Sequence, residues 1–325
     1  MKKLFTLLAL TIGFSMNAQL TAVTEGGNTG QRLSTSNASN HGDIGSNAVD
    51  LSYSSGSSST LGATGGNAVA MGERTTASGS HSTAMGNDTT ASGDISTAMG
   101  SSSTASGLFS TAIGLSTIAS GIVSTAIGNS TTASGDSSTA MGYSTSASGY
   151  YSTAMGRETT ASDYGSLVIG QYNSSGSSVT NSAISFSTSN TAFVIGNGTN
   201  SSNKSDAFKV MFNGDTTVSN DLTVSGDVVI SSDARLKSNI VSLGSTLPKL
   251  LQIDGKSYEM KGKQKIGVLA QEIKEVFPEL VSEDDNEMLA VNYQGLVPVL
   301  INALKEQQSE IDELKEMVQL LVSKE

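Results

Sequence analysis

A glycine returns every 14 residues along the middle of this chain, at Gly72, Gly86, Gly100, Gly114, Gly128, Gly142, Gly156 and Gly170. A second series, Gly79, Gly93, Gly107, Gly121, Gly135 and Gly149, runs seven residues out of phase, and Asp163 then breaks it. From about Asn67 the residues between the glycines repeat as well. His81-Ser-Thr-Ala-Met-Gly-Asn-Asp-Thr-Thr-Ala-Ser-Gly-Asp is one copy, and Phe109-Ser-Thr-Ala-Ile-Gly-Leu-Ser-Thr-Ile-Ala-Ser-Gly-Ile is another. A period held this strictly marks a stack of like units, each burying its apolar face against its neighbours. It also argues against a disordered low-complexity tract, whose apolar positions would not keep register.

Each half-repeat reads as a short strand closed by a glycine turn. In Ser82-Thr83-Ala84-Met85-Gly86 successive side chains face opposite ways, and the glycine supplies the bend. Two strands and two turns make one coil of a parallel solenoid, in which each backbone pairs with the next coil. Alanine and serine suit a narrow interior. The column Met85, Met99, Ile113, Ile127, Met141 and Met155 is the largest apolar stripe. One thin coil buries little area, so that stripe is expected to face sister chains. The positions Asn87-Asp88, Ser101-Ser102, Leu115-Ser116, Asn129-Ser130, Tyr143-Ser144 and Arg157-Glu158 vary and form a rim. Tyr143, Tyr150 and Tyr151 stand either as ligand contacts or as ordinary surface aromatics.

Composition narrows the function. Of 325 residues only 14% are charged and 5% aromatic, with no Trp, so a conventional globular core over the whole length is not expected. There is no Cys, which excludes disulfides, thiolate metal sites, a cysteine nucleophile and a lipidated cysteine. His41 and His81 are the only histidines, so neither a metal nor a cofactor is expected. A net charge of −11 opposes nucleic-acid binding. The acids of residues 67–230 sit singly in turns, without the paired carboxylates of a polysaccharide-cleaving spike.

The chain divides by composition. Met1-Lys2-Lys3, the apolar run Leu4 to Phe14 and Ser15-Met16-Asn17-Ala18 read as a signal peptide, residues 1–18, with Ala18 the last residue removed. The run is too short to cross about 30 Å of hydrocarbon, and no later segment is apolar enough to span as a helix. Export to the cell surface or medium is therefore expected. Residues 19–66 read as an N-terminal low-complexity segment, 67–172 as the repeat head and 173–231 as a β-rich stalk. In the stalk the stretches 192–196, 207–212 and 222–230 look like strands, and Asn213-Gly214-Asp215 like a turn. Residues 232–325 hold more than half of the charged residues and all three prolines, and read as a small α+β domain. There Lys265–Ala270 predicts a strand running into a helix over 271–276, and Met288–Tyr293 another strand. A long helix from Leu296 toward Val322 carries Leu300, Leu304, Gln307, Ile311, Leu314, Val318 and Leu321 at spacings of 4 and 3, a coiled-coil seam with one polar layer. The fold class is thus mainly β: a parallel β-roll solenoid of 14-residue coils with a β stalk, then a small α+β domain ending in a coiled coil.

The Ser-x-Ala-x-Gly pattern of residues 60–172 resembles the head repeats of trimeric autotransporter adhesins. That resemblance implies a trimer of β-rolls binding a host surface, matrix or glycan. Those adhesins end in a membrane β-barrel, whereas this sequence ends in a charged helix, so their export route is not implied. A second resemblance rests on Ser231-Ser-Asp-Ala-Arg-Leu-Lys-Ser-Asn-Ile240, Gly267-Val-Leu-Ala-Gln-Glu272, Val276-Phe-Pro-Glu-Leu-Val281 and Val291-Asn-Tyr293. In this order, and with the closing helix, they are similar to the intramolecular chaperone domain of endosialidase-type phage tail spikes. Such domains assemble a homotrimer of β-structured chains and then cut themselves off. Their Ser–Lys pair maps onto Ser232 and Lys237, with the cut beside the serine, between Ser232 and Asp233.

The residue types fit that chemistry. A serine hydroxyl needs a base, and residues 232–325 contain no histidine, which leaves lysine. Lysine becomes a base only when burial or a nearby cation lowers its pKa, so cleavage is expected to await assembly. Ser232 and Lys237 are five residues apart, too far along a straight strand, so a turn or a partner subunit has to bring them together. The sequence therefore points to a secreted or surface trimeric adhesin-like fibre with a self-cleaving serine peptidase segment. The alternatives are a purely structural trimer that does not cut and a phage tail-fibre-like receptor binder.

Overall fold

The structure, a computed structural model, describes residues 20–174, 182–284 and 287–323. The expected signal peptide lies outside them. The chain divides between Ser225 and Gly226 into two compact units.

The first unit is the solenoid. Its long strands, such as Thr83–Asn87, Thr97–Ser101 and Thr111–Leu115, lie parallel in one 14-stranded sheet; short strands such as Thr90–Ala91 and Thr104–Ala105 form a second sheet of eight. The register follows the repeat, with Ala84 against Ala98, Met85 against Met99 and Gly86 against Gly100. The glycines are required by contact as well as conformation. Gly86 has φ +126°, and a Cβ there would run into the carbonyl of Gly100.

Two alanine columns, Ala84 and Ala91 with their counterparts, fill the interior and are fully buried. Serines such as Ser82 and Ser96 line it too, as expected. A column of buried threonines, including Thr75, Thr89, Thr131 and Thr145, was not foreseen. The Met/Ile column points outward: Met85, Met99, Ile113 and Ile127 are half-buried, and Met141 and Met155 exposed.

Two corners of the coil carry non-glycine residues in the left-handed region: one series is Arg74, Asp88, Ser102, Ser116, Ser130, Ser144 and Glu158, and the other is His81, Ile95, Phe109, Val123, Ser137 and Tyr151, the latter with φ between 54° and 59°. The amide of each bonds back to the previous coil, as in Ile95 N to Ser80 O at 2.7 Å and Val123 N to Leu108 O at 2.8 Å. The stack imposes this conformation on β-branched residues that disfavour it.

The solenoid begins before Asn67. Leu20–Glu25 and Asn28–Leu33 form an antiparallel hairpin, and the second strand pairs in parallel with Val49–Tyr53, which pairs with Val69–Glu73. Within the segment expected over 19–66, residues 20–66 are therefore not merely low-complexity sequence; longer turns hide the period while the ladder continues. A buried charge network closes this end. Arg32 Nε lies 3.3 Å from Asp50 Oδ2, its Nη1 2.7 Å from Glu25 Oε1, and its Nη2 donates to Gly42 O at 2.9 Å. His41 Nδ1 lies 3.2 Å from Asp50 Oδ2, and Ser52 Oγ donates to Asp50 Oδ1 at 2.5 Å. Burial alone would raise the Asp50 carboxyl, but the hydrogen bonds from His41 and Ser52 outweigh it and hold the group below its ordinary value.

The other end is closed by side chains. Asn173 Oδ1 accepts from Thr160 N at 2.8 Å and its Nδ2 donates to Thr160 O at 3.1 Å, so one amide stands in for the missing ninth short strand. Asp163, where the second glycine series stops, is buried and accepts from Thr191 N at 2.8 Å. Thr191–Asn197 extends the long sheet in parallel, and Asp206–Met211 and Thr216–Val218 follow antiparallel. The strand expected over 222–230 is absent: these residues are exposed and have no ladder partner in a single chain.

The second unit is small. Lys256–Met260 pairs with Lys263–Gly267, and Val281–Glu283 with Leu289–Val291, both antiparallel. The helix Ala270–Val276 and the long helix Leu296–Val322 pack around Ile273, Phe277 and Val299. The helix starts one residue earlier than expected, and the strand expected over 288–293 is limited to Leu289–Val291. Asn292 caps the turn that follows, its Oδ1 accepting from Gly295 N at 3.1 Å, and Tyr293 Oη accepts from Val268 N at 3.1 Å.

Candidate self-cleavage site

Ser232 and Lys237 flank a single 3-10 turn, Ala234–Leu236. Asp233 starts it. Its Oδ1 accepts from Arg235 N at 2.8 Å, its carbonyl accepts from Leu236 N at 3.0 Å, and Lys237 N closes the turn on Ala234 O at 3.1 Å. An aspartate preceding a helical turn satisfies amides that would otherwise lack partners, which is why this sequence bends here. The bend brings the two side chains together: Lys237 Nζ donates to Ser232 Oγ at 2.7 Å. The distance problem posed by a five-residue spacing is thus solved within one chain, and Ser232 rather than Ser231 is the hydroxyl that meets the lysine.

The acid between the two residues, Asp233, is engaged by Arg235. Arg235 Nη2 lies 2.7 Å from Asp233 Oδ2, and its Nε also reaches both carboxylate oxygens. The Arg235 side chain and then its backbone N–H hold the Asp233 carboxyl below the usual carboxylate range, while the same pairing raises Arg235. Both dyad side chains are exposed in the single chain, as is every residue from 213 to 245.

The other motif residues build the scaffold rather than the dyad. Glu272 accepts from Asp254 N at 3.3 Å and lies 3.4 Å from Lys256 Nζ. Phe277 and Val281 belong to the core. Glu306, which no motif marks, binds Ser245, Thr246 and Leu247 through its carboxylate. Tyr143 and Tyr151 are exposed and Tyr150 half-buried; Arg157 stacks over Tyr143, and Tyr151 packs edge-on against Tyr164 at 5.2 Å. Among the described residues no group of three or more acidic or histidine side chains is placed to hold a metal ion, and no helix is long and apolar enough to cross a membrane.

Two family descriptions match. Residues 63–89, 91–117, 119–145 and 147–173 match the YadA head domain repeat, and residues 232–282 match the chaperone of endosialidase. The first match covers the stacked coils and the second begins at Ser232. Both resemblances read from the sequence are therefore present, in the expected order. No curated protein matches the chain.

Proposed function

We propose that this chain is an exported, homotrimeric adhesin-type fibre whose C-terminal segment assembles the trimer and then releases itself by cleavage beside Ser232. The observation that carries the reading is the 2.7 Å contact of Lys237 Nζ with Ser232 Oγ at the first residue of a chaperone-type segment that follows YadA-type head repeats.

The physical need for a chaperone lies in the solenoid. Parallel ladders form slowly and expose edges while they do so. A clamp on three chains raises their effective concentration and sets their register. The outward Met/Ile columns and the exposed seam Leu300, Leu304, Ile311, Leu314, Val318 and Leu321 are the surfaces three chains would share. Removing the clamp afterwards takes away the easy route back, leaving a kinetically stable fibre.

In the reaction the Lys237 amine takes the Ser232 hydroxyl proton as Oγ adds to a backbone carbonyl carbon. The carbon–nitrogen bond breaks, the proton passes to the departing amine, and water hydrolyses the resulting ester to a carboxylate and the free hydroxyl. A solvated lysine is a poor base, so packing against two other chains supplies the desolvation. The exposure of both side chains in one chain also supports the second reading, a structural trimer that never cuts.

The test is the mass of the products after expression of the full chain. A C-terminal fragment beginning beside Ser232, absent from Ser232→Ala, is the expected result. Intact trimers in the wild type would establish the second reading instead.

A further inference from the structure

The long helix Leu296–Val322 presents two faces. Val299 and Ala303 are buried against the second unit, and Glu306 continues that row toward the helix C-terminus. Leu300, Leu304 and Ile311 are exposed on the seam face. Glu306 therefore sits on the docked face, one residue before the polar seam residue Gln307.

Its carboxylate is fully engaged by one short segment. Oε1 accepts from Thr246 N at 2.6 Å and Oε2 from Ser245 Oγ at 2.7 Å, with Leu247 N at 3.3 Å. Thr246 is buried, and its Oγ1 donates to Val299 O at 3.0 Å. The Thr246 backbone N–H, followed by the Ser245 hydroxyl, holds the Glu306 carboxyl below its ordinary range, so it is anionic at neutral pH.

Thr246 is the first buried residue after the dyad, because residues 213–245 are exposed throughout. Seven residues separate Lys237 from Ser245, and eight steps of about 3.4 Å confine the lysine to within about 27 Å of the clamp.

We propose that Glu306 is a positioning residue for self-cleavage, transmitting the placement of the assembled helix to Ser232 and Lys237 through the Ser245–Leu247 segment. This rests on the reading of Ser232 and Lys237 as a cleaving pair. When three seams associate, the clamp fixes where each exposed segment starts, and so brings the dyad repeatedly to the same neighbouring surface. Without the clamp the segment would start at an undefined point, and the desolvated arrangement would be reached rarely.

The test uses the full chain and measures trimer content by light scattering and release by denaturing gel. Glu306→Ala is expected to remain trimeric and release the fragment about tenfold more slowly or worse. Glu306→Gln keeps one acceptor oxygen and should fall between Glu306→Ala and the wild type. A third chain, with six Gly/Ser residues inserted after Gly244, leaves Glu306 and the helix intact and costs little loop entropy. It should assemble normally yet cleave as slowly as Glu306→Ala, a result that a merely structural role for Glu306 does not give. Wild-type cleavage rates in trimeric Glu306→Ala or in the insertion chain would overturn the inference. So would failure of both Glu306→Ala and Glu306→Gln to assemble, since Glu306 would then serve assembly itself. An uncleaved wild type would instead overturn the cleavage reading beneath it.

Discussion

Lys237 Nζ reaches Ser232 Oγ at 2.7 Å because Asp233, lying between them in sequence, caps the turn that folds one side chain back on the other. Removing either member should abolish release. Ser232→Ala, Lys237→Ala and Lys237→Arg are all expected to yield intact trimers, since arginine stays charged and cannot serve as the base. Gel analysis of the purified chains checks this, and a cleaving Lys237→Ala would dismiss the lysine.

In the proposed cleavage, the bond that breaks would report which chain attacks. Attack by Ser232 Oγ on its own carbonyl requires a four-membered ring, whereas attack on the Ser231 carbonyl closes a five-membered one. A fragment beginning at Asp233 therefore implies that the hydroxyl comes from a neighbouring chain. A fragment beginning at Ser232 is what attack within the chain gives. Mixed trimers of wild type and Ser232→Ala then decide, because both kinds of subunit should cleave only if the hydroxyl comes from a neighbouring chain.

The outward Met/Ile column is expected to be the shared face of the head. Met99→Lys places a charge in the middle of that stripe, and should lower the trimer fraction of the head in light scattering; Asn129→Lys on the variable rim should not. Equal trimer content in the two would move the interface elsewhere.

The Arg32–Asp50 pair should hold the first coils. Arg32→Ala leaves a buried carboxylate short of its partner and is expected to cost about 3–5 kcal/mol. The pH dependence follows from the lowered Asp50 pKa. A depressed folded-state pKa contributes stability above the unfolded value, about 3.9 for aspartate, that is lost as pH falls through the folded value. Amide protection of residues 28–53 should thus be level, as far as Asp50 governs it, from pH 6 to about 5 and decline below about 4. Loss beginning near neutrality would point to a different group.

At one of the left-handed corners, Val123 sits at φ +57° with a branched side chain, while Asn67 occupies the equivalent corner at φ +56°. Val123→Asn should relieve strain and stabilise the solenoid by about 1 kcal/mol. A lower melting temperature would show that Val123 makes contacts worth more than the strain.

The coils were legible in the sequence because glycine was the only residue able to stand against the next backbone, as at Gly86 and Gly100. The corner through Ile95, Phe109 and Val123 was not, because nothing in those side chains announces a positive φ; the stack forces it on them. The buried threonines were missed for a related reason, since threonine alternating with alanine reads equally well on either face. The early coils escaped notice because the partners Arg32 and Asp50 are 18 residues apart, and Asp50 and Ala70 are 20. At the dyad, the residue types and their spacing were readable, and so was the need for a bend. That Asp233 provides the bend is a local capping signal, whereas Glu306 anchors the next segment through contacts some 60 residues apart in sequence that no local pattern encodes.

The amide of Asn173, pairing with both backbone groups of Thr160, has a consequence for how such a molecule grows. Termination is carried by a few side chains at the two extremities, while every interior module presents the same backbone to the modules on either side. Duplicating or deleting one 14-residue cassette would change the length of the solenoid by one strand spacing and leave both stoppers untouched. Length is therefore a quantity that selection can adjust in discrete steps, independently of how the two ends are closed.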